Sequence, residues 1–332
     1  MTTYKDAGVD IDAANEGMKR IKSHVTSTYN KYTLSDLGSF GGCFNIPSDK
    51  YDNPVLVSSV DGVGTKLLVA TLAQKHSTIG QCLVNHCVND ILVIGARPLF
   101  FLDYFAAGKL NNDILEQVVF GFSKACKEND CVLIGGETAE MPGFYDKDKY
   151  DVSGTIVGVV DKELMLSNRK TTAGDVLVGL PSTGLHTNGY SLARKVLYSK
   201  FKVGQIVDEL NTTIEDELLN IHKSYLPIIS DILHKPWLKS LSHITGGGII
   251  ENTERVLEKN QGININWSSW EWPNIFKLIQ KCGNITNENM IRPFNLGIGM
   301  ILVVDKNYIN HIEDYLIKNN ENYFLIGEVV NK

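Results

Sequence analysis

SVDGVGTK, residues 59–66, follows the apolar run Val55, Leu56 and Val57 and precedes a helix-like stretch at 67–74. The pattern reads as a strand that ends in a tight glycine turn and opens a helix. Asp61 is a hard oxygen ligand, Gly62 and Gly64 let the backbone bend close to a ligand, and Thr65 and Lys66 offer donors to anionic oxygens. This suits a magnesium-bound phosphate. Two familiar phosphate motifs are excluded: GxxxxGK[ST] needs four residues between its glycines, and Leu67 stands where GxGxxG needs its third. Taken alone, these eight residues leave a plain strand-to-helix connection equally open.

Moving outward toward the C-terminus, a second helix is expected over 78–94, capped by Ser77, with Leu83, Cys87, Ile91 and Ile94 along one side. His86, Asn89 and Asp90 share a face, where a carboxylate is costly unless paired or bound to metal. A hydrogen-bonded core aspartate fits the pattern as well, and a satisfied structural histidine is the simpler reading of His86. Arg97 and Pro98 read as a break, 99–107 as an aromatic-rich strand, 112–129 as a helix, and 131–134 and 151–160 as strands. GGETAEMPG, residues 135–143, places two glycines and two acids directly after a buried strand and reads as a ligand-contact loop. Upstream, Ile11, Ala14, Met18, Ile21 and Val25 mark an amphipathic helix. LGSFGGCF at 37–44 is an irregular loop, able either to close over a ligand or merely to connect.

The aperiodic polar stretch 162–175 marks a domain boundary, giving an N-terminal unit at 1–165 and a C-terminal α/β unit at 170–332. In the second unit, strand 176–180 leads to a loop at 182–189 in which hydroxyls, His186, Asn188 and glycines precede a helix, a good anion site. Helices are expected over 214–233, 251–259, 274–281 and 308–319, and strands over 299–304 and 324–330. HITGGG at 243–248 carries Gly246, Gly247 and Gly248 in succession, which suggests close backbone approach. Trp267, Trp270 and Trp272 read as packing.

A length of 332 residues suits two domains, and a formal net charge of -6 with only short basic runs argues against nucleic acid as partner. Six cysteines without CxxC spacing read as reduced thiols. The N-terminus reads as neither a signal nor a transit peptide, and the most apolar stretch, 91–108, contains Arg97, Pro98 and Asp103. The expectation is a cytoplasmic protein without membrane spans.

Together, YKDAGVDID at 4–12, DGVGTK at 61–66, CVNDI at 87–91, PLFFLDY at 98–104, GGETAEMPG at 135–143, HTNGYSLAR at 186–194, HITGGGIIEN at 243–252 and FNLGIGM at 294–300 carry a close resemblance to the aminoimidazole ribonucleotide synthetase family, the phosphoribosylformylglycinamidine cyclo-ligases. The resemblance spans essentially the whole chain. It implies ATP-dependent closure of formylglycinamidine ribonucleotide to aminoimidazole ribonucleotide, with release of ADP and phosphate. It also implies a two-domain α/β fold in which the N-terminal halves of a homodimer pair their strands into a barrel. Asp61, Asp90 and Glu137 would then hold Mg2+. Gly62, Gly64, Thr65, Lys66, Asn89, Gly135 and Gly136 would meet ATP and its phosphates, while His186, Asn188 and Gly246 to Gly248 would face the substrate. Asp90, Lys66 and His186 would be the catalytic groups, and a monovalent cation such as K+ stays open. Other ATP-dependent superfamily members, such as selenophosphate synthetase or thiamine monophosphate kinase, are the alternative; YKDAGVDID and GGETAEMPG argue against them. A nucleotide-binding protein without turnover would be expected to lack the three acids. His86, where relatives are apolar, inherits no role. Pro293 replaces an expected threonine, and 35–42 is poorer in glycine than the family pattern.

Overall fold

The computed structural model describes residues 3–332. The N-terminal half runs α1 (Ile11–Thr26), β1 (Pro54–Gly62), α2 (Lys66–Ala73), α3 (Ser77–Leu92), β2 (Arg97–Ala107), α4 (Asn112–Glu128), β3 (Val132–Glu140) and β4 (Tyr150–Asp161). Its strands form one sheet in the order β1-β4-β2-β3, with β2 and β3 parallel and the other pairs antiparallel. Successive residues of a strand face opposite sides. In β1 the odd-numbered residues 55–61 turn toward the helices, whereas Leu56 and Val60 are 56% and 64% exposed on the open face.

Helix α3 lies at the centre of the molecule, with thirteen of its sixteen residues buried. A Cβ on Gly80 would lie 2.2 Å from the Val118 carbonyl of α4, and one on Gly121 would lie 2.2 Å from the Ser77 carbonyl, so these two backbones touch. The polar stripe of α3 faces the C-terminal half. That half runs β5 (Val176–Pro181), α5 (Tyr190–Leu197), β6 (Ile206–Val207), β7 (Thr212–Thr213), α6 (Ile214–Leu218), α7 (Leu226–Ile229), β8 (Leu238–His243), α8 (Gly248–Glu254), β9 (Gln261–Ile265), α9 (Asn274–Gly283), α10 (Asn287–Ile291), β10 (Ile298–Val304), α11 (Ile309–Lys318) and β11 (Phe324–Asn331). Five of these strands form an antiparallel sheet, β8-β10-β5-β11-β9, and every residue of β10 is buried.

Several local expectations are corrected. Strand β1 continues through Asp61 to Gly62, so Asp61 sits on a paired strand and only 63–65 form the turn. Pro98 lies inside β2, accommodated by a register shift between Pro98 and Phe100. Residues 135–140 are strand rather than loop, because β2 continues beside them and supplies the ladder. Ser77 starts α3 without capping it. The helices expected over 214–233 shrink to α6 and α7. The chain between them is irregular because α3 satisfies its backbone: Asn85 Nδ2 donates to His222 O (2.8 Å), Asn89 Nδ2 donates to Lys223 O (2.9 Å), and Asn89 Oδ1 accepts from Tyr225 N (3.0 Å). Helix α8 ends at Glu254, short of the expected 259. All six cysteines are free thiols, and among the described residues no helix is long and apolar enough to cross a membrane.

Candidate active site

The ends of β1 and α3 bring Asp61 and Asp90 together at a partly exposed surface, where His86 touches both. Their side chains are 41% and 26% exposed, backed by histidines that are almost wholly buried. His86, one turn before Asp90, donates from Nε2 to Asp61 Oδ2 (2.8 Å) and lies 3.7 Å from Asp90 Oδ2. His243, at the end of β8, donates from Nδ1 to Asp90 Oδ1 (2.8 Å), and Ser59 Oγ donates to Asp90 Oδ2 (3.0 Å). Behind them, His243 Nε2 and His222 Nε2 are within hydrogen-bond distance at 3.0 Å, and Thr187 Oγ1 is 2.6 Å from His86 Nδ1 and 3.4 Å from His222 Nδ1. His86, Asp90, His243, His222 and Thr187 thus close a ring between the two halves of the chain, with Asp61 attached to it through His86.

Electrostatics follow from this ring. Burial opposes ionisation of Asp61 and Asp90, but the bonds from His86 and His243 outweigh it and hold both carboxyls below their usual range. Burial likewise opposes protonation of His86, yet Asp61 and Asp90 raise its pKa. His222 and His186 have no carboxylate partner, and burial, reinforced by neighbouring positive groups, drives their pKa values well down. Both carboxylates are therefore anionic at neutral pH, facing solvent with a basic backing.

Other expected site residues fall in different places. Thr65 Oγ1 is exposed, 3.1 Å from Ser191 Oγ, and Gly64 adopts φ +53 in the turn beside it. The Asn188 Oδ1 atom lies 3.3 Å from where a Cβ on exposed Gly246 would stand, so the loops at 182–189 and 243–248 abut. Lys66 does not reach this surface. It is fully buried, and its Nζ donates to the carbonyls of His186 (2.9 Å) and Asn220 (2.7 Å). His186 is buried as well, at φ +62, stacked on His222 with ring centres 4.0 Å apart; its Nε2 accepts from Thr183 N and its Nδ1 has no protein partner. The Asn89 amide is spent on the 222–225 segment. Gly248 is buried where a Cβ would lie 1.9 Å from Ile291 O, so packing explains it.

Glu137 is not beside Asp61 and Asp90. Asp61 is in register with Gly154, Asp103 and Gly136, whereas Glu137 is in register with Tyr104, Ser153 and Gly62. The two acids therefore face opposite sides of the sheet, three strand spacings or about 14 Å apart.

Gly136 has a structural explanation too, since a Cβ there would lie 2.3 Å from Asp103 Oδ1. Asp103, unused by the sequence reading, borders a cavity of about 200 Å³ under the 36–42 loop, with Met18, Ile21 and Ile134. Burial pushes its carboxyl from the usual 3.8 up to about 7. The folded state thus binds this proton more tightly than the unfolded chain, so the associated stability is full below pH 3.8 and lost as pH rises through about 7. Asp103→Asn, a stand-in for the neutral acid, is expected to stabilise the protein at pH 8 by about 1–3 kcal/mol, discounted because the cavity admits water, and to change little at pH 4. Urea unfolding at the two pH values checks this.

His243, His222, Thr187 and Ser59 were missed as site residues. Ser59, Thr187 and His243 lie inside SVDGVGTK, HTNGYSLAR and HITGGG without being singled out there, and no local pattern marked His222.

Comparison with known proteins places the chain as follows. The model for the N-terminal domain of AIR synthase related proteins matches residues 43–160, and that for the C-terminal domain matches 172–332. The chain is 46% identical over 331 residues to the phosphoribosylformylglycinamidine cyclo-ligase of Acetivibrio thermocellus, covering 99% of this chain and 97% of that protein. It is 48% identical over 329 residues to the protein of the same name from Syntrophotalea carbinolica, covering 98% and 94%. Among solved structures, the thiamine-monophosphate kinase of Stenotrophomonas maltophilia shares the fold with a TM-score of 0.71 at 14% identity, over 95% of this chain and 94% of that one. E. coli HypE does so with a TM-score of 0.67 at 17% identity, over 95% and 91%.

Proposed function

The chain belongs to the AIR synthase related family, and on that premise we propose that it is the ligase that closes formylglycinamidine ribonucleotide to aminoimidazole ribonucleotide at the expense of ATP, in purine biosynthesis. An amide oxygen is a poor leaving group. Phosphoryl transfer from ATP turns it into phosphate, and the neighbouring amidine nitrogen attacks the same carbon and expels it. Attack within one molecule favours an enzyme that holds the folded conformer and balances charge on the phosphoryl group in flight.

The observation that carries this reading is the pair Asp61 and Asp90, ionised, partly exposed and held side by side by His86, His243 and Ser59. Partly exposed carboxylates are the donor chemistry of Mg2+, which neutralises nucleotide phosphates when bound. Asp61 and Asp90 would hold it, with Thr65 and the backbone at Gly62 and Gly64 toward the phosphates. Asn188, Gly246 and Gly247 line the substrate side. Lys66 and His186 support from within: the lysine and Tyr190 Oη both donate to the His186 carbonyl and pin that residue in its left-handed conformation. Incubation with formylglycinamidine ribonucleotide, ATP and Mg2+ is expected to yield ADP, phosphate and aminoimidazole ribonucleotide in equal amounts. Folded protein that forms no product overturns the reading.

We further propose that residues 1–165 act as the nucleotide-binding and dimerising unit, with 170–332 as the second unit. The open face of the N-terminal sheet supports a homodimer. Leu56 and Val60 are exposed there, in line with half-buried Phe100, Leu102 and Val157. Glu137 is on the same face, so any part it takes in the nucleotide site is taken at the subunit interface. Val60→Glu would place two carboxylates in that apolar contact and is expected to weaken dimerisation on the order of 100-fold or more. Light scattering across a dilution series checks it; an unchanged dimer sinks the assignment of this face.

A further inference from the structure

The function above uses Asp61 and Asp90 as carboxylates and gives the histidines behind them only a supporting part. We propose that this chain captures one transition-metal ion of the Zn2+, Co2+ or Ni2+ class through His86, Asp90 and His243, with Asp61 as a further donor.

The donor atoms of His86, Asp90 and His243 lie within 4.8 Å of one another. His86 Nε2 is 3.7 Å from Asp90 Oδ2 and 2.8 Å from Asp61 Oδ2, and His243 Nδ1 is 2.8 Å from Asp90 Oδ1. Tetrahedral bonds of about 2.0–2.2 Å set neighbouring donor atoms about 3.3–3.6 Å apart, a spacing these separations bracket. The ion would take the place of the protons that now join the imidazoles to the carboxylates. The two rings are centred 5.0 Å apart at 77°.

Each ring is also oriented from behind. Thr187 Oγ1 contacts His86 Nδ1 at 2.6 Å, and His222 Nε2 contacts His243 Nε2 at 3.0 Å, as outer partners do in metal sites. The carboxylates, 41% and 26% exposed, give an entry path to imidazoles that are 4% and 3% exposed. Two nitrogen donors are what distinguish this site from a magnesium site. Mg2+ prefers oxygen and retains water, whereas borderline ions favour imidazole. An ion held here would occupy both carboxylates assigned to the magnesium nucleotide, making it an inhibitor. That consequence rests on the proposed function, but the binding does not.

Chelator-stripped protein is dialysed against Co2+ with Mg2+ in large excess, then analysed for bound metal and visible absorption. One Co2+ per chain is expected, with intense d–d bands of a nitrogen-containing, low-symmetry site, displaced by Zn2+. His86→Leu and His86→Gln are each expected to weaken Co2+ binding by at least about 10-fold, the lower end of what even an outer partner costs. Circular dichroism reports that the variants are folded. Failure of the wild type to retain Co2+ against Mg2+, a weak octahedral spectrum, or wild-type affinity in either folded variant overturns the proposal. None of these readouts depends on turnover, so loss of the cyclo-ligase reading would leave them unaffected.

Discussion

Asp90→Asn is expected to lower turnover by about 10²–10³-fold or more, while the protein stays folded. The substitution keeps the volume; its one amide oxygen can still accept from His243 Nδ1, 2.8 Å from Asp90 Oδ1, and its NH2 can donate to Ser59 Oγ, 3.0 Å from Asp90 Oδ2. What it removes is the charge. Without that anion the proposed magnesium nucleotide loses one of two carboxylate ligands, and His243, whose pKa burial lowers, keeps only a neutral acceptor. Because the side chain is partly exposed, the expected cost in stability is only about 1–3 kcal/mol. Rates of ADP release, together with unfolding midpoints, separate the two effects. A near-normal rate in folded protein would show that Asp90 serves only as a structural partner of the histidines.

Lys66→Met is expected to act in the opposite manner, costing about 3–5 kcal/mol of unfolding free energy with little change in the KM for ATP of the folded protein. The ammonium is fully buried, and it bridges the start of α2 to two carbonyls of the C-terminal half. Burial alone would lower its pKa, but Cys82 and Tyr190 alongside raise it, so the group stays charged. Methionine fills similar space, takes the 2.7 Å donor from the Asn220 carbonyl and leaves the His186 carbonyl with Tyr190 Oη alone. The loss should also loosen His186, whose left-handed backbone is held through one of them. Urea unfolding measures the first effect and steady-state kinetics the second. A stable variant with a much higher KM for ATP would return Lys66 to the phosphate site suggested by its place in DGVGTK.

These two residues show how far the sequence could be read. Asp90 stood out because a carboxylate on an apolar helix needs a partner, and that inference uses only neighbours three and four residues away. Lys66 misled because its position in a glycine turn says nothing of what packs over it; its acceptors, His186 and Asn220, lie 120 and 154 residues on. Strand extent failed for the same reason at 135–140, where local glycines spell a loop and a neighbouring strand makes them sheet.

The sequence by itself determined the two α/β halves, the glycine turn after β1, the buried face of α3 and the family, because periodicity and motif order are written in local spacing. Only the tertiary structure decided which polar groups meet. It turned Asp61 and Glu137 to opposite faces of one sheet, drew Lys66 inside, and gathered His86, His222 and His243 around two carboxylates. The physical reason is that a buried polar group must find its partner wherever the chain returns, at a distance in sequence that no local pattern records.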